Sequence, residues 1–556
     1  MTAKTRLELT WIGKDNRPRV EPRILIEDER LSHHAATRRE GDLFDNVLIH
    51  GDNLLALRAL EQDFTGKVKC VFIDPPYNTG SAFEHYDDGL EHSIWLSMMR
   101  DRLEIIRRLM SEDGSLWVTL DDNEAHYFKV MCDEVFGRRN FVNTVIWRKN
   151  YSPKSTARHL SEDHDYVLIY AKNAESWVPN PMPRSEKQNA AYKNPDKDPR
   201  GPWKPGDLSA RNYYSKGTYP ITTPSGRVIP GPPNKNYWRV EESKFWALDA
   251  DRRIWWGKDG GAIPQIKRFL SEVADGVTPQ TFWSHEEVGH TQEAKQESIA
   301  LFGAEAFATP KPERLLERIL YLATRPGDLV LDTFAGSGTT GAVAHKMRRR
   351  WIMAELGEHC QTHIAPRLDK VIDGQDPGGV TQPAKWKGGG GYRYYRLAPS
   401  LMEKDGFGQW VISKDYDAAR LAEAMCKHLS FTYAPSDEHY WIHGRSSETD
   451  FLYVTTNSLT HEQLKAISED VGPDRSLLIC CRAFQGAHAA DFTNLTITKI
   501  PSAILDRCEW GRDDYSLKIA ALPMAEDDPE PDAEPASRRG SAAANQPGLF
   551  GSEDAE

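Results

Sequence analysis

The sequence predicts an α/β protein built on a doubly wound, largely parallel sheet, and two strand–turn–helix units far apart in the chain predict it. Each begins with a short apolar run that stops abruptly, in consecutive prolines in one case and in a glycine-rich turn in the other. A helix-periodic segment and a further strand follow each turn, which makes both units βαβ crossovers.

Composition sets the frame. The 556 residues carry 70 Lys+Arg against 82 Asp+Glu, a net charge of −12, with 39% hydrophobic residues. This is the composition of a folding chain long enough for three or four units at roughly 100–200 residues each. Apolar runs such as Val167-Leu-Ile-Tyr170 are far shorter than the roughly 20 residues a membrane helix needs, and Met1-Thr-Ala-Lys-Thr-Arg-Leu7 has no apolar signal core. The seven cysteines show no C-x-x-C pair, so they read as reduced thiols of a cytoplasmic protein without a metal site.

The first unit starts with Val68-Lys-Cys-Val-Phe-Ile73 and breaks at Asp74-Pro75-Pro76-Tyr77-Asn78-Thr79-Gly80, because prolines cannot donate to a strand ladder. Ile94 to Met110 then has apolar residues at helical spacing, and Gly114 separates that helix from the strand Ser115–Leu120. Next, residues 144–234 carry 14 Lys/Arg, 8 Asp/Glu, ten Trp/Tyr and thirteen Pro. A basic, aromatic, loop-rich block within an acidic chain suits a nucleic-acid surface, although a solvated insertion over a few packed aromatics would look the same.

The second unit runs from the strand Asp328-Leu-Val-Leu-Asp332 through Thr333-Phe334-Ala335-Gly336-Ser337-Gly338-Thr339-Thr340-Gly341 into a helix, Ala342 to Arg350. A further strand, Trp351–Ala354, delivers Glu355 one strand after Asp332, which is where a Rossmann-like sheet offers an acid to ribose hydroxyls. A glycine-rich turn at a helix start lets a nucleotide-like ligand approach the backbone. Gly336, Gly338 and Gly341 also satisfy G-x-G-x-x-G, so a dinucleotide oxidoreductase stays open on this motif alone; a phosphate-binding Walker loop does not, because no Lys follows the glycines. The stretch 525–556 holds nine acids and two arginines in a Pro/Ala/Ser-rich context, the composition of a disordered tail.

The first turn supplies the chemistry. At the carboxyl edge of a parallel strand, Asp74 offers a carboxylate, Pro75 a backbone carbonyl and Tyr77 a π-face. Two acceptors and a stacking face suit an exocyclic amine on a planar base: they hold both amine hydrogens, favour a pyramidal nitrogen and strengthen as positive charge develops on it. Attack on a methyl sulfonium then needs only in-line placement.

Asp74-Pro75-Pro76-Tyr77 with Phe334-Ala-Gly-Ser-Gly-Thr-Thr340, in that order, resembles the β class of S-adenosylmethionine-dependent amino-group DNA methyltransferases. Longer stretches are similar to the Mod subunits of type III restriction–modification systems: Ile49-His-Gly-Asp-Asn53, Phe72 to Gly80, Leu116 to Glu124, Val145 to Asn150 and Thr309 to Arg314. Phe431 to Tyr440, Thr456 to Gln463 and Cys508 to Gly511 extend the likeness. The resemblance implies that Asp74 and the Pro75 carbonyl hold the amine, with Pro76 completing the turn, while Tyr77 stacks on the extruded base. It implies a cofactor site of Asp332, Phe334, Ala335, Gly336, Ser337, Gly338, Thr339, Thr340 and Glu355, with Asp52 near the adenine and Lys311 near the methionine carboxylate. A solvated cation at a helix start is the other reading of Lys311.

Asp at position 74 resembles the adenine-N6 enzymes more than the cytosine-N4 enzymes, where Ser is usual, and the cytosine alternative stays open. Either amine must be flipped out of duplex DNA. The resemblance places target recognition in the basic block, with Arg148, Lys149, Lys154, Arg158 and Arg211 as candidate DNA contacts. It also implies a homodimer on double-stranded DNA and a separate Res helicase–nuclease subunit. Gln546-Pro-Gly-Leu-Phe550 fits the Gln-x-x-Leu-Phe pattern of sliding-clamp peptides. The expected division is an N-terminal extension (1–40), a catalytic half-core (41–143), a target-recognition insertion (144–304), a cofactor half-core (305–391), a small α+β domain (392–523) and the acidic tail (524–556). A specificity subunit without catalytic activity is a further alternative, against which stands the presence of every motif residue.

Overall fold

The computed structural model describes residues 8–77, 90–153, 155, 157–273, 276–485 and 491–516; Lys154 and the segment 546–550 lie outside the described residues. An 11-stranded sheet organises the chain. Its strands are β1 (Leu25–Glu27), β2 (Asn46–His50), β3 (Val68–Ile73), β4 (Met110–Leu120), β5 (Phe141–Arg148), β6 (His164–Ala171), β7 (Phe282–Trp283), β8 (Leu329–Asp332), β9 (Arg350–Glu355) and β10 (Gly391–Leu397), with His33–His34 pairing against β10. The spatial order is β1-β10-β2-β9-β8-β3-β4-β6-β5-β7. From β10 through β4 every neighbouring pair is parallel, and β6 lies antiparallel between β4 and β5.

Helices cover both faces, as a buried parallel sheet requires. On one face lie α1 (Asn53–Phe64) and α2 (Leu90–Leu109), with Leu54, Leu57 and Leu60 of the first and Trp95, Met99, Leu103 and Ile106 of the second in one apolar cluster. On the other lie α3 (Glu313–Ala323), α4 (Thr339–Lys346) and α5 (Ala365–Ile372), which bury Leu315, Leu316, Ile319, Val343 and Leu368. Each such side chain contributes about 1.5–3 kcal/mol relative to exposure. Buried Glu313 joins the three helices of the second face: its carboxylate accepts from Lys346 Nζ and Arg367 Nη2, each at 2.8 Å, and from the Val380 amide at 2.9 Å.

Gly114 does not separate helix from strand. β4 begins at Met110 and runs through it. A Cβ there would stand 2.8 Å from the Val68 carbonyl oxygen, so glycine permits the close approach of β3 and β4 at an irregular point of their register. In the second unit the helix starts earlier than Ala342. Gly338, at φ +74°, is the residue from which the chain turns into α4 at Thr339.

The basic block is divided between sheet and insertion. Position 144 falls within β5, and both β5 and β6 pair in the central sheet. The chain leaves the sheet after Ala171, builds small sheets around Leu208, Ile221, Trp238, Phe245 and Ile254, and rejoins at β7. A smaller five-stranded sheet follows β10, with Asp450–Val454, Ser476–Cys481 and Leu495–Lys499 mutually parallel and the helices Ala418–Leu429 and His461–Val471 packed on it. All seven cysteines are buried thiols. Among the described residues no helix is long and apolar enough to cross a membrane.

Candidate active site

β3 and β8 are neighbours, paired Val330 with Cys70 and Leu331 with Val71, so the proline turn and the glycine-rich turn emerge side by side at the carboxyl edge of the sheet. Between them lies a cavity of about 660 Å³. Its walls include Asp74, Pro75, Pro76 and Tyr77 on one side and Asp332, Phe334, Ala335, Gly336, Ser337, Thr339, Thr340 and Glu355 on the other. The volume falls within the roughly 300–1,000 Å³ usual for small-molecule sites.

The proline turn is fixed at several points. Trp95 of α2, fully buried, donates its indole N–H to the Pro76 carbonyl at 2.8 Å. Asp74 Oδ1 accepts from Thr119 Oγ1 at 2.5 Å, and Lys311 Nζ is ion-paired with Asp74 Oδ2. The same ammonium lies 5.2 Å from the centroid of the Tyr77 ring. The Tyr77 hydroxyl donates to Asp165 Oδ2 at 3.1 Å, and Lys149 Nζ bonds Asp165 Oδ1 at 2.6 Å. Burial, with Asp74 and Asp165 nearby, raises the Tyr77 hydroxyl well above its ordinary range and keeps it a neutral donor. Burial also raises Asp165, against the pull of Lys149.

The glycine-rich turn is held by two acids. Asp332 accepts from the Phe334 amide at 2.9 Å and the Thr340 hydroxyl at 2.5 Å. Burial pushes its carboxyl up to about 7, and the charges of Asp74 and Glu355 add to the effect. Glu355 accepts from the Gly336 amide at 2.8 Å and the Gly357 amide at 3.1 Å, and pairs with His359 at 3.2 Å. Burial opposes its charge, yet His359 and the two amides outweigh burial and hold the carboxyl below its ordinary value. Gly336 has φ +52°, and a Cβ there would meet nothing nearer than 3.9 Å, which leaves its backbone open to a ligand. At Gly338, with φ +74°, a Cβ would lie 2.8 Å from Ile364 Cγ2.

These groups fit a nucleoside joined to an amino acid. Open backbone at Gly336 admits close approach, the remaining lone pairs of Glu355 can accept from ribose hydroxyls, and Lys311 supplies a cation for a carboxylate. Asp52 stands apart from the cavity. It is 1% exposed and caps α1 through the Leu54 and Leu55 amides, while Oδ2 takes the Tyr515 amide at 2.9 Å and the Arg102 guanidinium at 3.5 Å.

The candidate DNA contacts divide. Arg158 and Arg211 are exposed, and Arg148 is partly exposed with Nη2 on the Tyr151 carbonyl at 3.3 Å. Lys149 lines the cavity, committed to Asp165. Thr119, Asp165, Phe307 and His359 join the site without having been singled out from sequence. Register explains the first two: Ile73 pairs with Val118, so Asp74 and Thr119 follow together, and antiparallel β6 brings Asp165 to the same edge beside β4. Acids at the start of apolar strands are too common to have marked Asp165.

Known proteins are similar to this chain in sequence. The chain is 33% identical to the type III restriction-modification enzyme StyLTI Mod subunit of Salmonella typhimurium over 60% of its own length, which spans 55% of that relative. It is 25% identical to the EcoP15I Mod subunit of Escherichia coli over 85% of both chains. The solved cytosine-N4-specific PvuII DNA methyltransferase aligns with 59% of this chain and 89% of its own at 17% identity, with a TM-score of 0.33. A family model described as DNA methylase matches residues 68–365, from the first residue of β3 through both turns. With more than half its length in that match, and both turns meeting in one cavity, the chain belongs to the N6/N4 DNA methylase family.

Proposed function

We propose that this chain transfers a methyl group from S-adenosylmethionine to adenine N6 of a flipped-out base in double-stranded DNA, as the modification subunit of a type III restriction–modification system. The observation that carries this reading is the meeting of Asp74–Tyr77 and Phe334–Glu355 in one cavity at the tips of the adjacent strands β3 and β8. A dinucleotide oxidoreductase would use the glycine-rich wall and leave Asp74, Pro75 and Tyr77 without a task.

The cofactor, when bound, supplies an electrophilic methyl group. Asp332 and Glu355 shape the turn that receives it, and Gly336 lets it approach the backbone. Asp74 and the Pro75 carbonyl accept the two amine hydrogens, and their pull grows as the nitrogen becomes positive in the transition state. Tyr77 stacks on the base, its ring anchored through Asp165. Stacking of this kind is worth about 1–3 kcal/mol per base and offsets part of the cost of extrusion. The insertion after Ala171, with exposed Arg211, and the loop carrying Arg158 supply DNA contacts. By likeness to the Mod subunits, we assign a Res subunit as the partner in cleavage and a second copy of this chain as the partner on DNA.

The test is methyl transfer from labelled S-adenosylmethionine to long, sequence-diverse unmethylated DNA, with mass spectrometry of the digested nucleosides. N6-methyladenine is the expected product. N4-methylcytosine would overturn the base assignment and keep the mechanism, and absence of both cofactor binding and product would overturn the whole reading.

A further inference from the structure

The cavity is lined by four carboxylates, Asp74, Asp165, Asp332 and Glu355, and by two lysines, Lys149 and Lys311. Lys149 is bound to Asp165 at 2.6 Å. The Asp332 and Glu355 oxygens hold the glycine-rich turn. The Lys311 ammonium sits on Asp74 Oδ2 and 5.2 Å from the Tyr77 ring centroid, so one cation covers both the acceptor and the stacking face that a target base needs. A neutral amine is the weaker partner for a carboxylate, since charge-assisted hydrogen bonds are about twice as strong as neutral ones. The amine therefore competes with the ammonium for Asp74, and its hold strengthens if another anion takes the ammonium.

We propose that Lys311 is a shared cation: it pairs with Asp74 while the cofactor pocket is open and passes to the carboxylate of the cofactor's amino-acid end when that pocket fills, freeing Asp74 for the target amine. This rests on the methyl-transfer reading above. A carboxylate entering a cavity lined by four acids needs a cation, and of the two lining lysines Lys311 is the one not committed to Asp165. Its long, flexible stem suits exchange between two anions. The cofactor and the base then bind in order, the first making room for the second.

The test is calorimetric binding of S-adenosylhomocysteine, which keeps the carboxylate, and of 5′-methylthioadenosine, which lacks it. Asp74→Asn releases Lys311, so S-adenosylhomocysteine should bind about fivefold tighter or more, a typical coupling between linked sites. Lys311→Met should bind it correspondingly more weakly, and in that background Asp74→Asn should have no further effect. Methylthioadenosine should bind all four proteins alike, which also shows that each variant is folded. Equal tightening by Asp74→Asn with and without Lys311 would mean general relief of negative potential and would overturn the proposal, as would no tightening at all. Failure of the wild type to bind either ligand would instead remove the methyl-transfer reading, and the sharing of Lys311 with it.

Discussion

Tyr77 and Asp165, from separate strand ends, are joined by a 3.1 Å hydrogen bond from the phenol to the carboxylate, and Lys149 closes the other side of that carboxylate at 2.6 Å. The ring proposed to receive the base is thus aimed by an ion pair one layer behind it. Tyr77→Phe should keep stacking and lose one hydrogen bond of about 0.5–1.5 kcal/mol, and Tyr77→Ala should forfeit stacking of about 1–3 kcal/mol as well. Single-turnover rates on methylatable DNA should therefore fall modestly for Phe and by a further tenfold or so for Ala. Equal losses would show that the ring does not contact the base.

On the proposed mechanism, Asp74→Ala removes an acceptor whose hold tightens only as the amine becomes positive. A preorganised electrostatic group of this kind is worth about 10²–10³ in kcat. DNA affinity by filter binding should stay within about twofold, since phosphate contacts dominate it. An active Asp74→Ala enzyme would remove this residue from the reaction.

Lys149 and the exposed arginines should separate in a salt titration. Neutralising a phosphate contact lowers the slope of log affinity against log salt by about one per contact. Arg158→Ala and Arg211→Ala, with exposed side chains, should each show that change. Lys149→Met should leave the slope intact and lower kcat, because its ammonium faces Asp165. A reduced slope for Lys149→Met would return it to the DNA surface.

Asp332 makes stability depend on pH. Its folded carboxyl lies at about 7 against an ordinary 3.8, so the native chain binds this proton more tightly than the unfolded chain does. The contribution is complete below the ordinary value and is lost as pH rises through about 7. The wild type should therefore weaken, relative to Asp332→Asn, between pH 5 and pH 8 in urea unfolding. A constant difference across that range would show that the buried carboxyl does not titrate there.

The two glycines of the turn should fail differently. Gly338→Ala meets both a positive φ and Ile364, so unfolding should report a loss of about 1–3 kcal/mol or more. Gly336→Ala carries the positive-φ strain (φ +52°) without a steric clash, so it should destabilise less than Gly338→Ala in urea unfolding while also weakening S-adenosylhomocysteine binding by calorimetry, since the space beside its Cα is open to the cavity.

How much of the site was legible in the sequence depends on how local each feature is. Asp74–Tyr77 and Phe334–Gly338 are contiguous motifs at strand ends, so the chemistry proposed for them could be framed without a fold. Thr119, Asp165 and the commitment of Lys149 depend on strand register across β4, β5 and β6, which no spacing reveals. Lys149 looked like a phosphate contact because its basic neighbours set the composition of the segment. Asp52 occupies a family position, but whether an N-cap acid faces a pocket or, as here, the Tyr515 amide depends on a segment from a distant part of the chain. β5 and β6 were likewise hidden inside a block whose average charge belongs mostly to the insertion after Ala171.

The pairing of β3 with β8 has a consequence for biosynthesis. One lip of the reaction centre is complete at Tyr77, the other only at Glu355, and the two meet through that pairing. A nascent chain that has made the proline turn carries one wall of the cavity with no opposite wall, and it gains one only after the ribosome has passed Glu355. Catalytic competence therefore doubles as a report that the insertion after Ala171, which lies between the two strands, has already been translated.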